Sequence, residues 1–153
     1  MVAQMKSKKA ARAYMNRITQ GMLGSSEGDR ILLTREWANA ITDQQGVYLV
    51  FAKDTLVYVG ESGCIRKRMV DLLDSRHHQL RRNIGDALFR NRRGFKKASS
   101  KDKFPPQIEK LLETYIRENL KVVAFPIYLG RAEIEEHIYE AVKPVYNKKG
   151  RRT

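Results

Sequence analysis

Hydrophobic positions along this chain change their period several times, and each change marks an element. From Gly46 to Ala52 they run nearly unbroken (GVYLVFA), a polar pair Lys53-Asp54 intervenes, and the run resumes from Thr55 to Gly60. Two short stretches rich in Val, Tyr, Phe and Leu about a polar turn predict a β-hairpin. The turn lacks glycine, so a connection of four or five residues is expected rather than a tight two-residue one. Behind the hairpin Ile65, Met69, Leu72 and Leu73 recur at helical spacing, with Arg66 and Arg68 among them.

The rest of the chain follows the same rule. In residues 1–24 Ala11, Tyr14 or Met15, Ile18 and Met22 recur three or four apart, predicting a basic amphipathic helix ending near Gly21 or Gly24. Gly24 to Gly28 is a joint, and Thr34 caps a short helix through Ile41 that buries Trp37. A helix is expected from His77 to Phe89 with Leu80, Ile84, Ala87 and Leu88 inward, then a loop from Asn91 to Lys103. Pro105-Pro106 opens a helix whose apolar face is Ile108, Leu111, Leu112, Tyr115 and Ile116. Lys121 to Leu129 reads as the third strand, with Pro126 at an edge or bulge. Arg131 to Lys143 reads as a helix with Ile134, Ile138, Ala141 and Val142 inward, stopped by Pro144, and a basic tail runs from Lys148. The expected fold class is α+β: a small three-stranded, mostly antiparallel sheet flanked by helices. A basic helical arm occupies 1–24, and a single domain occupies 25–153 with a basic insertion at about 75–120.

Composition narrows the function. With 153 residues, 42% hydrophobic, the chain can bury one real core. No apolar run approaches the roughly 20 residues that cross a bilayer, and no apolar segment follows the basic N-terminus, so a cytoplasmic protein without a membrane partner is expected. A lone cysteine, Cys64, excludes an intrachain disulfide and a multi-cysteine zinc site. Thirty Lys and Arg against seventeen Asp and Glu give +13, the charge of a polyanion binder. Between Arg76 and Lys103 ten Lys or Arg face two Asp. Arg66, Lys67, Arg76, Arg81, Arg82, Arg90, Arg92, Arg93, Lys96 and Lys97 are therefore the expected phosphate contacts.

Three features together resemble the GIY-YIG nuclease superfamily. Gly46-Val47-Tyr48 is followed by Tyr58-Val59-Gly60 on the next strand, Arg68 lies ten positions beyond the second tyrosine, and Glu135 precedes Pro144 and Tyr146-Asn147. The resemblance covers most of the chain beyond the arm. It implies a metal-dependent DNA endonuclease, in a chain this short most like the compact restriction type. One Mg²⁺ or Mn²⁺ would be held by Glu135, and Tyr48, Tyr58, Arg68, Glu135, Asn147 and a histidine would form the catalytic set. Where many relatives carry His or Tyr one helical turn after the Arg, this chain has Leu72, leaving His77, His78 or Lys67 to fill the place; His77 is entered in the catalytic set.

The residue types suit hydrolysis of a phosphodiester. One hard cation on a single carboxylate polarises the phosphoryl oxygen. A guanidinium donates two parallel hydrogen bonds to phosphate and stays charged. A phenol becomes a base only if a nearby cation stabilises its anion. On a helical wheel Glu135 lies about 75° from the centre of its apolar stripe and Glu136 about 175°, so Glu135 is the inward-reaching carboxylate. The same wheel excludes Lys67 but leaves Arg66 and Arg68 equivalent; only the resemblance selects Arg68. Symmetric cutting of both strands would call for a homodimer. The alternative is a nucleic-acid-binding module of the same fold, possibly on RNA, that has lost cleavage.

Overall fold

The computed structural model of the protein describes residues 2–24 and 28–148. Its elements are α1 (Val2–Leu23), β1 (Asp29–Arg30), α2 (Arg35–Asn39), β2 (Gly46–Ala52), β3 (Thr55–Ser62), α3 (Ile65–Asp71), α4 (Gln79–Phe89), α5 (Pro106–Asn119), β4 (Leu120–Pro126) and α6 (Arg131–Val142). The class is α+β, as expected, but the sheet has four antiparallel strands rather than three, in the order β1-β4-β2-β3. The added strand is the pair Asp29-Arg30 against Val122 and Lys121, two exposed residues with no apolar alternation to betray them.

The hairpin closes more tightly than expected. Ala52 pairs with Thr55, so Lys53-Asp54 is a two-residue loop. Lys53 takes the left-handed conformation (φ 53°) usually left to glycine, a modest cost that the long strand ladder overrides. A register shift after Val50 realigns the strands.

Alternation along the strands divides the interior in two. Tyr48, Val50 and Tyr58 face a core built with Ile65, Met69 and Leu72 of the α3 region, Leu80 and Ile84 of α4, and Ile108, Leu112 and Ile116 of α5. Val47, Leu49, Phe51 and Val59 face the other way, onto Ile134 and Ile138 of α6 and Met22 of α1. Such burial of apolar side chains on both faces is the main source of stability here. Only the C-terminal part of α1 joins it: Met15, Ile18, Met22 and Leu23 pack, whereas Ala11 and Tyr14 are exposed together with Lys6, Lys8, Lys9, Arg12 and Arg17. The helix ends before Gly24, and residues 25–27 of the expected joint and the tail beyond Lys148 lie outside the described residues.

Two inward stripes are shorter than expected. Ala87 and Leu88 of α4 and Ala141 and Val142 of α6 are exposed, because each helix runs past the surface it packs on, α5 for α4 and the β2–β3 sheet for α6. Lys143, in the left-handed conformation (φ 50°), ends α6 before Pro144 is reached. No helix among the described residues is long and apolar enough to cross a membrane.

The exposed edge of β3 is closed by the chain beyond α6. The Tyr146 amide donates to Val57 O (3.0 Å), and the Asn147 side chain both accepts from Val59 N (2.9 Å) and donates to Val59 O (2.8 Å). This imitates a neighbouring strand and blunts an edge that would otherwise invite pairing. A second fastening is ionic. Arg81, 2% exposed, donates to Ser75 Oγ, to Leu72 O and to the carboxylates of Glu109 (2.6 Å) and Glu113 (3.0 Å). Removing a buried cation leaves its partners uncompensated. Arg81→Ala is therefore expected to lower unfolding stability by about 3–5 kcal/mol in urea titration; a loss below about 1 kcal/mol would mean the network contributes little.

Candidate functional site

Both motif glycines have a steric cause. A Cβ on Gly60 would land in the Tyr48 ring, which lies over it across the β2–β3 pair. A Cβ on Gly46 would strike the Phe125 carbonyl of β4. The absence of a side chain at 60 is what lets the Tyr48 ring lie flat along the sheet.

Three rings then gather on that face. Tyr48 and Tyr58 are 6.1 Å apart between ring centres at 30°, and His78 stands 6.1 Å from Tyr48 and 5.8 Å from Tyr58. All three are buried, at 1%, 1% and 0% exposure. His78 caps α4: its Nδ1 accepts the Leu80 N–H at 3.1 Å. A nitrogen that accepts carries no proton, so the neutral ring is protonated at Nε2, which donates to Tyr48 Oη at 3.0 Å.

Arg68, one turn into α3, closes the cluster. Its Nη1 donates to His77 O (2.9 Å) and Asp71 Oδ2 (3.2 Å), and the guanidinium bears on the phenols of Tyr48 and Tyr58. Burial works against its charge, but the two phenols and Asp71 more than offset this and hold Arg68 cationic. Its side chain remains 23% exposed. Burial pushes the Tyr48 hydroxyl well above the ordinary tyrosine range, Tyr58 adds to the rise, and Arg68 pulls it back.

The other expected site residues fall elsewhere. His77 is exposed, 3.9 Å from Asp74, and its backbone carbonyl accepts from Arg68; its neighbour His78 is the imidazole that meets the tyrosines, and Leu72 is core. His78 left a faint sequence signal, an imidazole at the cap position just before the Leu80–Ile84 stripe. Asn147 is bound to the β3 edge, as described. Glu135 is half-buried and Glu136 exposed, but α6 packs on the opposite sheet face from the three rings, beside edge strand β3. There Arg131 pairs with Glu61 (2.8 Å) and bonds Gln45. Among the described residues no three or more His, Cys, Asp or Glu cluster as metal ligands. A carboxylate at a half-buried position suits a hard cation that keeps most of its waters, and does not suit zinc.

The expected phosphate contacts divide. Arg81 is interior. Arg82 donates to the Ser75 and Arg76 carbonyls, Arg76 is doubly bonded to Asp74, and Arg66 donates to Ile41 O near Asp43. Lys67, Arg90, Arg92, Arg93, Lys96 and Lys97 are exposed, Lys97 standing 3.7 Å from Asp86.

No family model, curated protein or solved structure matches this chain, so its function is argued from its own residues and geometry.

Titration offers a direct check on the cluster. Below about pH 10 Tyr48 is protonated folded and unfolded; above it the unfolded chain releases a proton that the folded chain keeps, so stability falls as pH rises. Tyr146, pushed up to about 12 mainly by burial, adds in the same direction. Denaturant titrations between pH 9 and 11 are expected to show a steep alkaline loss in the parent. Tyr48→Phe should flatten it by up to about 1.4 kcal/mol per pH unit, and parallel curves would mean that Tyr48 is not held protonated.

Proposed function

We propose that this protein is a metal-dependent DNA endonuclease that hydrolyses phosphodiester bonds directly. The observation that carries the reading is the meeting of Tyr48, Tyr58 and His78 beneath the partly exposed Arg68 side chain. A merely structural core does not need a hydrogen-bonded phenol with a cation against it, and strongly shifted groups gather at functional sites. The motif spacing and the exposed cations after α4 support the same conclusion.

Each group has a role the chemistry can use. Arg68 receives the scissile phosphate through its outward N–H groups and stabilises the charge that develops on it. For Tyr48 to take the proton of the attacking water it must first release its own and meet the solvent. The step therefore requires the cluster to open, Arg68 and the His78 Nε2–H then stabilising the phenolate. Tyr58 lines the same hollow. A divalent cation would polarise the phosphate and lower the pKa of water. For Glu135 to carry it, the DNA would have to pass round the β3 edge, because Glu135 lies on the opposite sheet face from Arg68. Arg90, Arg92, Arg93 and Lys96 hold the backbone without reading sequence. A two-fold DNA site would bring two copies together.

Two observations favour the second reading, a nucleic-acid-binding module without cleavage: the rings are almost wholly buried, and Glu135 rides on the opposite face. Supercoiled plasmid separates the readings. With Mg²⁺ or Mn²⁺ we expect nicking or linearisation that chelator abolishes and that Tyr48→Phe or Arg68→Ala reduces about 100-fold or more while binding persists. Binding without a cut under either metal selects the module.

A further inference from the structure

A second site lies away from the ring cluster. A groove of about 470 Å³ opens between α4, the loop after it and the segment beyond α6. Its walls carry the aromatic rings of Phe95 and Tyr146, and its rim carries Arg90, Lys97 and Lys148.

Among the described residues, two side-chain oxygens of residues lining this groove have no hydrogen-bond partner. Asn83, 6% exposed, donates its Nδ2 to Tyr146 O at 2.7 Å, which fixes the amide and leaves Oδ1 unpaired. Asp86 Oδ1 is likewise buried and unpaired. Residues three apart on a helix share one face, so the two acceptors are neighbours. Unpaired buried oxygens cost about 1–3 kcal/mol each, and a native fold rarely keeps two together without use. What covers Asp86 is loosely held: Lys97 and Lys148 place their ammonium groups 3.7 and 4.0 Å from its Oδ2, beyond hydrogen-bond length, and both side chains are more than half exposed.

We propose that this groove binds an unpaired guanine base of the nucleic acid. Among the bases only guanine presents two adjacent donors, N1–H and N2–H, on its Watson–Crick edge, beside an acceptor, O6. Both oxygens have almost no exposed surface, so the donors reach Asp86 Oδ1 and Asn83 Oδ1 once the loosely held Lys97 and Lys148 side chains move aside. A displaced lysine or Arg90 then serves O6 or the attached phosphate. Phe95 and Tyr146 supply the apolar walls on which bases stack. The groove uses none of the residues of the ring cluster. The inference rests on the nucleic-acid reading for its setting, and is independent of cleavage.

The test uses free nucleotides on the intact protein, followed by amide NMR shifts. Guanosine 5′-monophosphate is expected to shift Asn83, Phe95 and Tyr146. Inosine 5′-monophosphate, which lacks the 2-amino group, should bind about tenfold more weakly, and the adenine and cytosine nucleotides at least as weakly. Asp86→Ala, on a half-buried helix position, should erase the preference for guanine while a residual phosphate-driven affinity persists. Equal affinity for all four nucleotides, shifts confined to other residues, no binding, or an unchanged preference in Asp86→Ala would each overturn the proposal. A plasmid that is still cut by Asp86→Ala leaves the endonuclease reading standing whichever way the nucleotide experiment falls.

Discussion

The hydrogen bond from His78 Nε2 to Tyr48 Oη ties the centre of the sheet to the start of α4, and much else depends on it. It is wholly buried, so neither partner can exchange it for water. It fixes the tautomer of the imidazole, which is already committed at Nδ1 to the first turn of α4. It also fixes the rotation of the Tyr48 ring, which lies over the bare backbone of Gly60. Breaking it strands a phenol, an imidazole and a helix cap together. Strand and helix are therefore positioned by one polar contact within an apolar layer, and the Arg68 charge is brought against it.

The parts of the fold that rest on period were legible in the sequence. The β2–β3 hairpin, the stripes at Ile65 and Met69, at Leu80 and Ile84, and at Ile108, Leu112 and Ile116 all follow from residues repeating every second or every third and fourth position. What escaped was decided by particular geometry. Lys53 adopts a backbone conformation its type disfavours, β1 is held by backbone pairing alone, and α4 and α6 outrun the surfaces that bury them. The candidate site divides along the same line. Tyr48 and Tyr58 are set by strand parity and meet, whereas Arg68, which joins them, could not be told from Arg66 by helical period. The choice between His77 and His78 depends on which residue caps α4, and one residue's difference carries an imidazole from the surface to the interior.

Charge was the least local signal, and it misassigned most. Ten cations in twenty-eight residues read as a uniform phosphate-binding surface, yet they serve different ends. Arg81 sits inside on Glu109 and Glu113, a pair at i and i+4 that pointed to an inward partner, and Arg82 holds the carbonyls of the turn before α4. Guanidinium suits such work because its fixed fork can satisfy several acceptors at once, whereas an ammonium cannot. The cations left to solvent are concentrated from Arg90 to Lys97, where no regular element constrains them.

This division sets a buried cluster beside cations that face solvent. A phosphate cannot enter the layer that holds Tyr48, but it need not do so to meet Arg68, whose side chain is the cluster's partly open member. Phosphate oxygens compete best for a guanidinium already held by one edge, because its remaining donors are oriented without further loss of entropy. Asp71 and the His77 carbonyl hold that edge through Nη1. An anion on the outer edge draws positive charge away from the phenols, and a cation bound beside it restores that charge. An occupant of that surface would therefore act on the protonation of Tyr48 through Arg68, which pulls its raised pKa back, while the tyrosine itself is buried in this structure.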